Sequence, residues 1–167
     1  MFTKHKSVIF GVSEQVLSSE EKKFFSKAKP LGFILFSRNI SDKKQVSSLI
    51  SGLRTIVGNK HAPIFIDQEG GRVCRLKKPI WYTPPAAAIF GKIASKNLSE
   101  AKKALHLNTI LIALDLIELG ISSDATPVID ILNIHSHNVI GDRAFSFDKF
   151  IVAELGKIVC DTLTELG

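Results

Sequence analysis

The sequence predicts an α/β fold built on a parallel sheet, and three observations lead to that prediction. Short apolar runs suited to buried strands alternate with amphipathic stretches suited to helices along the 167 residues. Capping residues precede the first two amphipathic stretches, and unusual polar residues follow the apolar runs. Because parallel strands need long crossovers, usually helices, four such alternations indicate four successive βα units.

The first βα unit carries both a strand and a helix-start signal. Ser7–Val12 has the composition of a strand. Ser18 with Glu21 three places later predicts a capping box, which opens a helix that runs to about Ala28. The apolar run Gly32–Phe36 then predicts the second strand.

The second unit continues with a helix whose cap is Ser41-Asp42 and whose end is Gly58-Asn59. Its apolar residues recur at helical spacing and predict a single buried face. They are Val46, Leu49, Ile50 and Leu53. Pro63–Ile66 predicts the third strand.

The rest of the chain predicts a long helix, a fourth strand and a last helix. After a loop at Trp81–Pro85, a helix is expected from about Ser99 to Leu119, and Gly120 is a natural residue to end it. Ile121–Ile131 contains the fourth strand, interrupted by a proline, and the segment 133–148 is irregular. The last helix is expected over Lys149–Leu166.

Composition describes a soluble globular domain. The chain is 45% hydrophobic and 23% charged, and its net charge of +6 is spread over lysine pairs typical of solvated helix faces, so we expect no nucleic-acid partner.

The most apolar segment, Leu107–Leu119, contains Asp115 and Glu118, which predicts a buried helix and not a membrane span. The N-terminal apolar run is too short for a signal peptide. With no paired cysteine pattern, a cytoplasmic location is expected.

The stretch Ala62–Leu76 holds the densest cluster of chemistry-bearing residues. Asp67 and Glu69 follow the third strand, and if that strand continued their Cα atoms would lie roughly 6.6 Å apart on one face. Such a pair suits acid/base chemistry on a glycoside. The favoured alternative is that Glu69 pairs with Arg72 or Arg75 at a glycine turn.

Other catalytic and metal patterns are weak. The chain has no G-x-G-x-x-G, no complete phosphate loop and no G-x-S-x-G. His135 and His137 form the one histidine pair that could start a metal site, with Asp130 as the only obvious third ligand. We therefore expect no metal and no cofactor.

Four blocks in order resemble the N-terminal part of glycoside hydrolase family 3, closest to its bacterial β-N-acetylhexosaminidase branch, which acts in peptidoglycan recycling. They are GFILFSRNI (Gly32–Ile40), FIDQEGGRVCRL (Phe65–Leu76), DATPVIDI (Asp124–Ile131) and NVIGDRAFSFD (Asn138–Asp148). The resemblance spans residues 7 to 167. Departures are mild: Cys74 stands where the family commonly has Gln, Thr126 where Ala is usual, and Ala144-Phe145-Ser146 where Ser-Phe-Gly is usual.

The resemblance implies a TIM barrel whose strand ends hold an N-acetylglucosamine unit of a muropeptide-like sugar. By motif, Asp67 would accept hydrogen bonds from sugar hydroxyls. Arg75 and Arg143 would donate to the sugar or organise the acidic groups beside it, which suits charge-assisted recognition of hydroxyl-rich ligands. Glu69 would be a structural neighbour of Asp67.

The length implies that the catalytic groups lie outside the 167 residues. In the resembled family a Lys-His-Phe-Pro-Gly-His-Gly segment, an Asp-Ser-His loop with the acid/base histidine and an aspartate nucleophile come later. A TIM barrel needs eight βα units and about 250 residues. We therefore expect residues 1–167 to form the N-terminal half of the barrel domain, about half a barrel with four βα units, with no catalytic residue of its own.

Two functions remain open at this point. The first is a truncated or split hexosaminidase that is inactive alone, with a separately encoded C-terminal half-barrel or a second copy as its partner. The second is a non-catalytic α/β module that binds a sugar or a protein.

Overall fold

The computed structural model describes residues 5–167, so residues 1–4 of the stretch judged not to be a signal peptide lie outside it. The described chain divides into two compact units. The first contains the residues up to Asp67 together with Leu116–Asp124, and the second contains Gln68–Asp115 with Ala125–Gly167.

The first unit contains a four-stranded sheet in the order β1-β2-β3-β4, with all neighbouring pairs parallel. The strands are β1 (Lys6–Gly11), β2 (Pro30–Leu35), β3 (Ile64–Ile66) and β4 (Ser123–Asp124). Sequential order with parallel pairing requires a crossover between each strand and the next. The predicted alternation of four strands with helices is therefore confirmed.

Within residues 5–167, five α-helices connect or follow the strands. They are α1 (Ser19–Ala28), α2 (Lys43–Val57), α3 (Ala87–Ala94), α4 (Leu98–Leu119) and α5 (Lys149–Leu166), and two 3₁₀ turns occupy Ser37–Asn39 and Gly141–Arg143. No described helix is both long and apolar enough to cross a membrane.

Helix α1 begins with the predicted capping box. Ser18 Oγ accepts from the backbone N–H of Glu21 at 3.0 Å, and the Glu21 carboxylate accepts from the backbone N–H groups of Ser18 and Ser13. Partial burial acts to raise the pKa of Glu21, but these donors outweigh it and hold the pKa below its ordinary value. The cap thus satisfies donors that the first helical turn leaves unpaired.

Helix α2 has a cap at each end and a buried apolar face. Asp42 caps it through the backbone N–H of Gln45, and Gly58 ends it in a left-handed conformation. Its predicted apolar face is buried, as are the facing strand residues. The buried set is Val46, Leu49, Ile50, Leu53 and Val57 on α2 with Phe33, Leu35, Ile64 and Ile66 on the strands. Burial of this apolar face stabilises α2.

The second unit has its own core, formed by α3, α4 and α5. Its buried apolar residues are Phe90, Ala94, Ala101, Leu105, Phe145, Val152, Leu155 and Val159. Gly91 lets α3 lie directly against the backbone of Phe145, because a Cβ at position 91 would lie 1.7 Å from the Phe145 carbonyl oxygen.

Three elements differ in detail from the sequence-based expectation. The fourth strand lies within Ile121–Ile131, as expected, but it covers only Ser123–Asp124. Helix α3 was not predicted because it is short and its first residue has no side-chain cap. Helix α4 is not buried all round: Leu107, Leu111 and Leu114 are exposed.

Candidate functional site

The segment after β3 is a tight turn that the buried side chain of Gln68 stabilises by hydrogen bonds to its backbone. Gln68 is 2% exposed, and its Oε1 accepts from the backbone N–H groups of Arg75 and Leu76 at 2.9 and 3.0 Å. Its Nε2 donates to the Leu76 carbonyl at 3.0 Å and contacts Cys74 Sγ at 3.1 Å. Sequence reasoning assigned Gln68 no role, yet its amide positions the backbone that carries Arg75.

The glycine pair allows this turn to approach a neighbouring loop. Gly70 and Gly71 have φ of +105° and +57°, which disfavour a side chain. A Cβ on Gly70 would lie 2.3 Å from the carbonyl oxygen of Pro85, and one on Gly71 would lie 2.7 Å from Ala86 Cβ. Here β3 has already ended at Ile66, so Glu69 belongs to the turn and not to a continuing strand.

Glu69 forms a two-pronged ion pair with Arg143. Arg143 Nε donates to Oε2 at 2.8 Å, and Nη2 donates to Oε1 at 2.7 Å. The side chains are 8% and 24% exposed, so the pair is largely shielded from water. The favoured expectation that Glu69 pairs with Arg72 or Arg75 is therefore wrong, and the two-pronged geometry gives the pair both strength and a fixed orientation.

Arg72 was not among the residues predicted to form the site. It binds the segment that leads to Arg143. Its Nε donates to Asp142 Oδ1 at 2.8 Å. Its Nη2 lies 2.9, 2.5 and 3.1 Å from the carbonyl oxygens of Asn138, Val139 and Ile140. Glu69 and Arg72 thus hold the 138–143 segment to the same turn.

Replacing Arg72 by alanine is expected to loosen that segment without unfolding the chain. Arg72 is 45% exposed, so its hydrogen bonds contribute modestly. The backbone amides of Ile140 and Arg143 donate to the carbonyl oxygens of His137 and Ile140. We expect both amides to exchange about five- to tenfold faster in deuterium exchange. Lys77→Ala, an exposed change nearby, is the control, and unchanged exchange at both amides would contradict the role.

The three residues selected as sugar ligands occupy different places. Asp67 lies directly after β3 in the first unit and is half-buried. Arg75 and Arg143 lie in the second unit, and both are half-buried. Arg143 contacts the Glu69 carboxylate, and the sugar-binding roles of Asp67, Arg75 and Arg143 stay predictions.

A cavity of about 20 Å³ in the second unit is bordered by the ion pair. Its lining includes Glu69 and Arg143 on the polar side and Phe90, Leu105 and Phe145 on the apolar side. This volume holds one water molecule, whereas small-molecule pockets are roughly 300–1,000 Å³. The cavity therefore does not accommodate a sugar ring.

The histidine pair is not part of this site. His137 Nδ1 accepts from the backbone N–H of Val139 at 3.0 Å, and His135 is exposed. Across residues 5–167 no group of three or more His, Cys, Asp or Glu side chains could hold a metal ion.

Comparison with known proteins identifies similar chains of about twice this length. The chain is 31% identical over 160 residues to a beta-hexosaminidase of Actinobacillus pleuropneumoniae serotype 5b, and 31% identical over 162 residues to one of Hydrogenovibrio crunogenus. These alignments cover 96% of this chain but 45% and 44% of those proteins. The chain thus spans less than half the length of these curated relatives.

Solved structures give the same picture for the fold. NagZ from Neisseria gonorrhoeae, solved in complex with N-trifluoroacetyl-D-glucosamine, matches with a TM-score of 0.89 at 29% identity, over 98% of this chain and 48% of NagZ. A family 3 beta-N-acetylglucosaminidase from Paenibacillus matches with a TM-score of 0.83 at 27% identity, over 95% of this chain and 29% of that one. The predicted fold class, four parallel βα units of a TIM barrel, is confirmed.

The family itself is settled by the match of residues 7–167 to the glycosyl hydrolase family 3 N terminal domain. The chain belongs to glycosyl hydrolase family 3.

Proposed function

We propose that this chain supplies the sugar-binding part of a β-N-acetylhexosaminidase-type site, acting in peptidoglycan recycling in the cytoplasm. The observation that carries the proposal is the Glu69–Arg143 pair, which ties the DQEGGR turn to the IGDR segment. The relatives named beta-hexosaminidase support the reaction class. The N-acyl glucosamine bound to NagZ supports an N-acetylglucosamine-containing, muropeptide-like ligand.

Three residues would hold the sugar or shape its site. Asp67, at the carboxyl end of β3, would accept hydrogen bonds from sugar hydroxyls, as expected where parallel strands end. Arg75 would donate to the sugar, since Gln68 fixes its backbone. Arg143 would act by keeping the Glu69 carboxylate in place.

We further propose that the 167 residues do not hydrolyse glycosides by themselves. Glycoside hydrolysis needs one carboxyl group as acid and a second carboxylate as base or nucleophile. Both oxygens of Glu69 accept from Arg143, and Asp142 accepts from Arg72. These carboxylates are engaged in positioning, so the nucleophile and the acid/base would come from further βα units.

An apolar groove in the second compact unit of the chain is a suitable surface for packing a further βα unit. Ile129 and Ile131, just beyond β4, are 65% and 48% exposed. They border a groove of about 370 Å³ with Val152, Ala153 and Gly156 of α5. Burial of this apolar surface by the next βα unit would stabilise a complete barrel, whether that unit lies on a longer chain, on a separately encoded half or on a second copy.

A titration with N-acetylglucosamine tests the proposed ligand role. We expect Asp67→Asn and Arg75→Lys each to weaken binding about tenfold or more, because each removes a charge-assisted or two-pronged contact. Lys77→Ala, exposed near Arg75, is the matched control and should bind like the parent chain. Equal affinity of all four proteins would overturn the assignment.

A further inference from the structure

Helix α4 carries a row of exposed branched apolar side chains on the face opposite its core contacts. Leu107, Leu111, Leu114 and Ile117 are 61%, 46%, 53% and 51% exposed. At 100° per residue these positions share one helix face. The core-facing side holds Ala101, Leu105, Ile112 and Leu116. A helix apolar on both faces is expected where the second face also meets protein.

This apolar row ends in opposite charges. Lys103 is exposed on the same face toward the beginning of α4, and Glu118 lies toward its end. Glu118 contacts Lys43 at 2.6 Å but keeps 54% of its side chain exposed. The row from Lys103 to Glu118 is about 22 Å long at 1.5 Å per residue.

The spacing of the row is symmetric about its middle. Lys103 and Glu118 are equally far from the midpoint, and so are Leu107 and Leu114. Read in the reverse direction, Leu107 and Leu114 exchange places and the two charged ends exchange signs. Leu111 then falls on Ile110 and Ile117 on Ala104, which are also apolar and are half-buried. A surface with this property is complementary to itself in an antiparallel arrangement, as a two-fold interface requires.

We propose that this face of α4 is an interface with a second copy of the chain, the two helices packing antiparallel about a two-fold axis beside Leu111. Leu107 would then face Leu114 of the partner subunit, and Lys103 would face Glu118 of the partner subunit. A contact confined to one helix is small for a protein interface, so the dimer would be weak and concentration-dependent. It uses a different surface from the groove beside Ile129 and does not rest on the proposed sugar function.

Sedimentation equilibrium of the full chain over a concentration series tests the interface. Leu111→Asp would place two carboxylates together beside the axis, and we expect it to raise the dimer dissociation constant at least about tenfold. Val16→Asp changes another apolar residue, 71% exposed and away from α4, and should leave dimerisation unchanged. A thermal melt of each variant checks that it is folded. A parent chain that stays monomeric at all concentrations, or a dimer insensitive to Leu111→Asp, would overturn the proposal.

Charge variants test the antiparallel pairing and need no loss of fold. Lys103→Glu alone and Glu118→Lys alone each set like charges against each other in both ends of a homodimer, so each should dimerise about three- to tenfold more weakly. Mixing the two variants restores opposite charges at both ends and should yield a mixed dimer of near-parent affinity. Lys92→Glu on α3 is the control. Absence of mixed dimers, or binding of the α4 face to phosphatidylcholine vesicles in place of dimerisation, would contradict the model.

Discussion

Glu69→Ala is expected to lower the free energy of unfolding by about 2–3 kcal/mol, because it leaves the largely shielded guanidinium of Arg143 without its counter-charge. The pair is 8% and 24% exposed and makes two short hydrogen bonds. Urea unfolding at neutral pH, followed by circular dichroism, measures the loss. The same variant should bind N-acetylglucosamine more weakly, since the 138–143 segment loses the Glu69–Arg143 pair and keeps only its contacts with Arg72.

Two further variants separate the cost of an unpaired charge from a general loss of contacts. Replacing both members, as Glu69→Ala with Arg143→Met, should recover part of the stability lost in the single variant. Asp161→Ala removes the partner of Lys157 in an exposed pair on α5, where no measurable change is expected. If Glu69→Ala unfolds with parent stability, the ion pair does not stabilise this turn.

Gly70→Ala is expected to have a still larger effect, with about 4 kcal/mol or more of lost stability or failure to fold, because two costs combine. The residue has φ of +105°, and an added Cβ would lie 2.3 Å from the rigid backbone oxygen of Pro85. The turn would have to move away from that loop, and Gln68 would lose its alignment with the backbone of Arg75. Urea unfolding and the yield of soluble protein measure the change.

Gly58→Ala provides the matched control for backbone strain alone. Gly58 also has positive φ, +68°, but nothing lies within 4 Å of a Cβ built there. It should cost about 1–2 kcal/mol, the penalty of a left-handed conformation for a residue with a side chain. Equal losses at both positions would show that close approach at Gly70 contributes nothing.

Elements defined by local signals were predicted from the sequence, whereas elements defined by distant packing were not. The capping residues Ser18 and Asp42 each accept from a backbone N–H group three residues later, so they can be recognised without the fold. Helix α3 has no such cap and depends on the contact of Gly91 with the backbone of Phe145, 54 positions later in the chain. Its existence could not be inferred from its own eight residues.

The sugar-binding roles inferred from the sequence stay predictions, whereas the ion pair beside them was predicted with the wrong partner. Asp67, Arg75 and Arg143 were selected by resemblance to a family, and the turn at Gly70 by its glycines. The partner of Glu69 was wrong because sequence proximity favours Arg72, whereas the guanidinium that reaches it, Arg143, is 74 residues away. The role of Gln68 had one signal: it is a polar residue two positions after Ile66, where it continues the alternation of buried residues in β3.

Hydrolysis of a chromogenic N-acetyl-β-glucosaminide by the purified 167-residue chain tests the central claim most directly. We predict that the chain binds the glycoside but releases no aglycone above the level of an Asp67→Ala, Glu69→Ala double variant. Under this account the two carboxylates hold ligand and loop, and the groups that break the bond lie in further βα units. Robust release of the aglycone by the chain alone, lost in the double variant, would contradict the account and would make Asp67 and Glu69 the catalytic pair.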